Sequence, residues 1–315
     1  MPKVFSKLTR PWYPSTALGL EKGIAAIVEV DRGRGKGLNL RRAATINLGE
    51  SLIQPGFDQL NVPDSSELAA ALSELATSAG LIRQKRWSVT LPGATTRALI
   101  LTLETRPGSQ RELEEVLAWK IDRGFGVPLE ELSVSREALT KDPQRRDRYL
   151  VVATRVAVLE EYENVFSTLG WRAGLILPRH LGEAQWLTGN GFKGDTLLVS
   201  SSEEGFTAMV FRDKQPIILR SILCEEGDRE DEFFRLLLFY RDRRASDTTD
   251  ASQMLSGLLV TGNGFSKARA SEIVNETLGG HLHALGAAEV GLHIPTKDLS
   301  FDAIAAPAGL AALSL

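Results

Sequence analysis

Three sets of residues in this 315-residue chain have types and spacings from which chemistry could be built. Gly33-Arg34-Gly35-Lys36-Gly37 combines glycines with two cations, the composition of a phosphate-binding turn. It lacks the following helix and the Walker spacing, so a hairpin turn between two apolar runs accounts for it better. Gly262-Asn263-Gly264 falls where a strand passes into a helix, and free amides there can meet a phosphate or an adenine ring. A plain strand-to-helix turn fits the same three residues. His281-Leu282-His283, with His293 beyond, offers imidazoles. Alternate residues on a strand face opposite sides, and no cysteine or nearby acid completes a set, so a metal is not expected. Cys224, the single cysteine, has no visible histidine partner and reads as an inert, packed thiol. No Ser-His-Asp order, paired-carboxylate motif or H-E-x-x-H stands out, which leaves an ordinary hydrolase or metalloenzyme without support.

Bulk properties narrow the class further. A net charge of −3 gives no global attraction to nucleic acid or acidic lipid. The basic loop at Arg145, Arg146 and Arg148 is diluted by Asp142 and Asp147, unlike the aromatic-interleaved basic stripe of a nucleic-acid binder. One cysteine excludes an internal disulfide framework and fits a reducing compartment. No run approaches the roughly 18 to 20 apolar residues needed to span a bilayer. The opening MPKVFSKLTRPWYP has no apolar stretch of signal-peptide length. A cytoplasmic location is expected, with any membrane association made through a partner.

The elements that must carry these residues follow from periodicity. Leu18 to Leu20, Ile24 to Val30 and Leu38 to Leu48 are apolar, β-branched runs that predict a meander, with 31–37 as a turn. Asp64 or Ser65 can cap a helix whose Leu68, Leu72 and Leu75 share one face, and Gly80 ends it. Trp87 to Leu91 is a strand, and Leu99, Leu101 and Leu103 alternate as a half-buried one. Leu113, Val116, Leu117 and Ile121 make a helical stripe. Strands at Tyr149 to Thr154 and Trp171 to Leu177 flank a helix whose apolar face runs from Val158 to Leu169, and 141–148 reads as a solvated loop. The opening pattern then returns, with strands at 196–200, 206–211 and 216–223. A Phe- and Leu-rich helix over 233–240 comes next, followed by a polar run at 241–253. A strand at 258–260, a helix from about Ser266 to Leu278 and a closing small-residue helix, AIAAPAGLAALSL, complete the chain. One meander stated near residue 18 and again near 196 is a weak internal repeat, the pattern of two lobes facing each other across a cleft.

Several segments, in order, resemble the PilM family of type IV pilus assembly proteins, relatives of FtsA with an actin-like ATPase fold. They are LPG at Leu91 to Gly93, the Glu112-to-Leu132 region with its WKIDRGFGVPLEEL, FRLLLFY at Phe234 to Tyr240, and Ala308-Gly309-Leu310-Ala311. The resemblance implies an α/β, actin-like (duplicated, RNase H-like) two-lobe fold with a small α/β subdomain inserted in the first lobe. It divides the chain at 1–93 for the opening of the first lobe and 94–175 for the insert. Residues 176–193 return to the first lobe, and 194–315 form the second lobe, with 225–255 as its helical part.

In that family the first hairpin carries Asp-x-Gly-Ser-Ser and then a lysine, which hold nucleotide phosphates beside a metal. Here the matching segment keeps Gly23 and offers Glu21 as a substitute acid, while the serines and the lysine are gone. The second loop, which should read roughly Asp-Ile-Gly-Ala-Ser, is Ser200-Ser201-Ser202-Glu203-Glu204-Gly205, with two negative charges facing a would-be phosphate. The adenosine-side pattern survives in part as Gly262 and Gly264. Charge-assisted hydrogen bonds contribute roughly 1.5 to 3 kcal/mol each, so losing two or three removes on the order of 3 to 9 kcal/mol. At about 1.4 kcal/mol per tenfold, a micromolar ATP–Mg²⁺ site becomes millimolar or worse.

The resemblance therefore implies a scaffold in place of a working ATPase. Such proteins capture the cytoplasmic N-terminal peptide of a PilN-type bitopic membrane protein, in a groove between the first lobe and the insert. Trp119, Ile121 and Phe125 are aromatic or apolar candidates for anchoring that peptide, with core packing of the insert as the alternative role. Two rival readings are an active actin-like ATPase rebuilt around Glu21 and Gly262-Asn263-Gly264, and the cytoplasmic part of a GspL-type type II secretion protein. A sugar kinase is more distant, because no Asp-containing catalytic motif is visible.

Overall fold

Thr16–Glu21 (β1) is buried along nearly its whole length, which requires packing on both of its faces. The computed structural model describes residues 13–33, 37–189, 191–247, 255–296 and 298–315, with the side chains of 244–247 excepted. The proposed glycine-rich turn at 34–36 and the tail of the polar run, 248–253, lie outside the described residues.

β1 pairs antiparallel with Ile24–Arg32 (β2), which pairs antiparallel with Leu38–Asn47 (β3). On its other side β1 runs parallel to Arg86–Leu91 (β4), reached through the helix Ser65–Ser78 (α1). Asp64 caps α1 by accepting from the backbone N–H groups of Ser66 and Glu67, and Leu68, Leu72 and Leu75 are buried. Successive residues of a strand point to opposite faces. Leu18, Leu20, Ala25 and Ile27 therefore join one core with α1, while Ala17, Ala26 and Val28 join another.

The insert is a three-stranded sheet. Arg97–Thr102 (β5) and Leu132–Leu139 (β6) flank Arg148–Arg155 (β7), and Gln110–Phe125 (α2) packs Leu117, Ile121 and Phe125 on it. β6 was not legible as a strand. Its residues are mostly exposed and its apolar alternation stops after Val134, because it is an edge strand. The expected loop at 141–148 gives up Arg148, which opens β7, is buried and donates to the Pro216 carbonyl at 2.9 Å.

The far boundary of the insert needs correction. Val156–Thr168 (α3) buries Val158, Tyr162, Val165 and Phe166 in the same core as α1, and Arg172–Pro178 (β8) pairs parallel with β4. The chain thus returns to the first sheet at α3, and not near residue 176. It then forms a helix, Arg179–Thr188 (α4), that periodicity did not reveal.

The second sheet repeats the first. Asp195–Ser202 (β9) pairs antiparallel with Gly205–Arg212 (β10), which pairs antiparallel with Gln215–Leu223 (β11). Leu255–Gly262 (β12) then runs parallel to β9 as β4 does to β1. Between β11 and β12 lies Arg229–Asp247 (α5), so helix extends into the part of the polar run that is described. Lys267–Leu278 (α6) follows, capped by Ser266. The last elements cross back. Leu292–His293 (β13) pairs with β3, and Phe301–Ala312 (α7) packs between the sheets on β1, β2 and α4, so 194–315 is not wholly a second lobe.

α4 and α7 meet without room for a side chain. A Cβ on Gly309 would lie 2.0 Å from the Gly182 carbonyl oxygen, and one on Gly182 would lie 2.4 Å from that of Ala306. Trp186 Nε1 donates to the Ala305 carbonyl at 2.8 Å across the same contact. This helix pair joins the halves of the molecule at the base of the cleft between them.

Candidate functional site

Two tight turns face each other over that base: Lys22-Gly23 between β1 and β2, and Glu203-Glu204 between β9 and β10. Lys22 Nζ reaches Glu203 Oε2 at 2.7 Å and closes the mouth. Both side chains are largely exposed, so this pair contributes only about 0–1 kcal/mol. The cleft beneath has a volume of about 180 Å³ and is lined by Glu21, Arg179, Ser201, Glu204 and Asn263, among others.

Arg179, at the first position of α4, occupies the floor. Its Nη2 and Nε donate to Glu183 Oε1 at 2.7 and 3.0 Å, and its Nη1 lies 3.2 Å from Glu21 Oε1. Arg179 and Glu183 are buried, Glu183 completely. Burial raises the Glu21 carboxyl to about 7, against the pull of Arg179 and with help from Glu183. Burial also works against the Arg179 cation, but the charges of Glu183 and Glu21 outweigh it and hold its pKa above the usual arginine value. Next to it, burial and then the Arg179 charge push His180 down to about 4, and neither ring nitrogen has a hydrogen-bond partner. His180 is therefore neutral at ordinary pH.

The four residues expected at a nucleotide site separate here. Glu21 and Gly262 line the cleft. Gly23 forms the β1–β2 turn at φ 75° with nothing near its Cβ position. Gly264 has a packing role: a Cβ would sit 2.3 Å from the Ser202 carbonyl oxygen and 2.4 Å from Arg229 Nη1. Its N–H donates to Ser201 Oγ at 3.1 Å, and its carbonyl accepts from Arg229, which also donates to the Glu203 carbonyl. The Gly264 amide and the Lys22, Arg179 and Arg229 cations are thus engaged within the protein. Glu203 and Glu204 add two carboxylates to the lining of the same cleft. Among the described residues no group of three or more His, Cys, Asp or Glu is placed to hold a metal ion. His283 has an acid beside it that sequence did not reveal, Glu289, and the two form a pair.

A second, larger concavity of about 820 Å³ lies between the loop Pro55–Gln59, the insert and β9–β11. Its walls include Phe57, Ala98, Leu99, Phe125, Phe206 and Leu223. The loop is built around Asn61, which is fully buried. Asn61 Nδ2 donates to the carbonyls of Gly56 and Gln59, while its Oδ1 accepts from Gly56 N–H, Thr95 Oγ1 and Tyr162 OH. Glu161 accepts from the backbone N–H groups of Asn61 and Val62, both at 2.7 Å. Phe57 enters the insert's core with Arg97 over its ring at 4.1 Å. Asp58 accepts from Arg97 at the start of β5 and from Arg155 at the end of β7, each at 2.9 Å. One loop of the first lobe thereby fixes the entry and the exit of the insert.

Of the expected anchors, Phe125 reaches the groove but is only 4% exposed and belongs to the insert's core, as does Ile121. Trp119 is 57% exposed and is not among the residues lining the groove; Arg123 lies over its ring at 5.4 Å. Sequence reasoning missed Arg179, Glu183, Asp58 and Asn61. The i,i+4 spacing of Arg179 and Glu183 was the single available signal.

No family model and no curated protein matches the sequence. Among solved structures, a chain of a "PilM-PilN type IV pilus biogenesis complex" superposes with a TM-score of 0.71 at 16% identity, covering 96% of this chain and 99% of that one. The chain has the actin-like fold. Two further actin-like neighbours superpose more loosely. One, a protein of unknown function from Bacteroides thetaiotaomicron with an actin-like ATPase fold, gives a TM-score of 0.49 at 10% identity, covering 97% of this chain and 98% of that one. The other, the cytoplasmic domain of EpsL, an inner-membrane component of the type II secretion system of Vibrio cholerae, gives 0.48 at 11% identity, covering 95% and 93%.

Proposed function

We propose that this chain is an actin-like adaptor of a type IV pilus or related secretion machine, working without ATP turnover. Its groove binds the N-terminal tail of a PilN-type inner-membrane protein. The observation that carries this reading is the contrast between the two concavities. Sites for drug-sized ligands enclose roughly 300–1,000 Å³. The cleft, at about 180 Å³, falls below that and is crossed by its own ion pairs, while the groove, which adjoins it at Arg179 and Glu204, lies within it at about 820 Å³.

The groove suits a short extended segment. Its walls are apolar at Phe57, Leu99, Phe206 and Leu223, and Asp58 is already satisfied by Arg97 and Arg155. A disordered tail ordering on a preformed, clamped surface gains affinity from a few apolar anchors. The PilM–PilN complex shares the fold, which supports a PilN-type partner. No helix of the described residues is long and apolar enough to cross a membrane. Calorimetric titration of the full chain with a synthetic tail peptide of the cognate PilN-type protein tests it. Saturable one-to-one binding is expected, and the folded chain's failure to bind would refute the reading.

A further inference from the structure

The cleft contains a cation of its own. Arg179 bridges two carboxylates from different elements, Glu21 at the end of β1 and Glu183 one turn along α4. We propose that Arg179 is a built-in counter-cation that neutralises Glu21 and Glu183, keeps the cleft assembled with no ligand bound and leaves these acids unsuited to a nucleotide-bound divalent metal. This rests on the reading that the cleft takes no nucleotide, and it supplies the physical replacement for one.

Three features carry the inference. The first is chemistry. Buried carboxylates need a counter-charge, which either a bound cation or the protein itself must supply. Here the guanidinium supplies it, with two donors on one Glu183 oxygen and a third nitrogen against Glu21. The second is competition. Glu183 Oε1 and Glu21 Oε1 both face Arg179, so a metal bound through these two oxygens would have to sit beside or displace a charge that cannot deprotonate. The third is immobility. α4 has no room to withdraw Arg179, because the Gly182–Gly309 crossing and the Trp186–Ala305 hydrogen bond hold it against α7. A flexible surface arginine could swing out to admit a ligand; this one is fixed at its backbone and held at its head by two acids.

Thermal melting of the full chain at fixed pH tests this with two variants. The first, Arg179→Met, keeps the stem and removes the charge. The second adds Glu21→Gln and Glu183→Gln, so that neither of Arg179's two acids is left to neutralise. The wild-type melting temperature should be unmoved by millimolar Mn²⁺ or by Mg²⁺–ATP. Arg179→Met should melt several degrees lower and recover in part when Mn²⁺ is added, because the two carboxylates are then free to take it. The triple variant should regain most of the loss and ignore Mn²⁺.

Wild-type stability in Arg179→Met, or a triple variant no better than the single one, would overturn the proposal, since Arg179 would then act by packing or not at all. An Arg179→Met protein that melts low but does not respond to Mn²⁺ would overturn the claim that Arg179 is what keeps a cation from these two acids. If Arg179→Met fails to fold, a triple variant that folds supports the proposal and one that also fails overturns it. A wild-type rise with Mg²⁺–ATP would overturn both this proposal and the no-nucleotide reading. Failure of the variants with ATP silent would overturn this proposal alone.

Discussion

Asp58 and Arg155 are 97 positions apart in the chain and 2.9 Å apart in the structure. The carboxylate also accepts from Arg97, so a single side chain of the first lobe holds both strands by which the insert is attached. These groups are partly exposed, and such pairs contribute about 0–1 kcal/mol to stability. Their weight falls on geometry, because the loop carrying Asp58 is also a wall of the groove.

Asp58→Asn should therefore separate binding from stability. The melting temperature is expected to change little, while the groove, no longer clamped at both insert strands, should bind the tail peptide several-fold more weakly. Parallel titration and melting of this variant check the point. Equal loss in both would show that Asp58 serves the fold alone.

Phe125 and Trp119 are expected to behave oppositely. Phe125 packs with Leu117, Ile121 and Val151, and a buried Phe→Ala change typically costs about 3–5 kcal/mol. Trp119 is exposed on α2, where substitutions away from special features stay within about 0.5 kcal/mol. Denaturant unfolding of Phe125→Ala and Trp119→Ala reads the difference directly. Because Trp119 does not line the groove, its variant should also keep wild-type peptide affinity.

The contrast between these residues marks how far sequence could reach. Strands such as β1 and β9 are apolar runs bounded by turns, and helices such as α1 carry both a cap and an apolar stripe, so they are legible locally. α4 is not. Its Arg179, His180 and Glu183 read as surface residues, and their burial depends on partners supplied by β1 and on the close approach of α7. β8 reads as a strand but not as a member of the first sheet, because parallel pairing with β4 joins positions more than eighty residues apart. Glu21 and Gly262 could be placed at the cleft from resemblance, whereas the arginine that fills it is a tertiary fact. The groove depends on Asn61 and Asp58, each an unremarked polar residue until its partners surround it.

Glu21 and His180 should give the cleft a compensated pH response. The folded-state pKa of Glu21 is raised from 4.5 to about 7. Between those values the folded state holds more protons than the unfolded one. Its contribution to stability is full below 4.5 and is lost as pH rises through about 7. The folded-state pKa of His180 is lowered from 6.5 to about 4, so its contribution is full above 6.5 and is lost as pH falls through about 4. The two slopes oppose each other across the shared window. Glu21→Gln removes one of them. The stability of that variant relative to wild type should therefore rise with pH between 4.5 and about 7, by at most about 1.4 kcal/mol per pH unit. Urea unfolding at several pH values measures this, and a variant curve parallel to wild type would show that Glu21 is ionised throughout.

The adaptor reading stands or falls on the groove. Calorimetric titration of the full chain with its cognate PilN-type tail peptide, beside the Leu223→Glu variant, is the most direct measurement. Leu223 lines the groove and is 81% exposed, so a charge there leaves the fold intact while obstructing an apolar anchor. Wild type should bind one peptide per chain, equally well with and without Mg²⁺–ATP. Leu223→Glu should lose at least tenfold in affinity, which corresponds to about 1.4 kcal/mol. A folded wild-type chain that ignores the peptide, or a Leu223→Glu variant that binds it unchanged, would contradict the account.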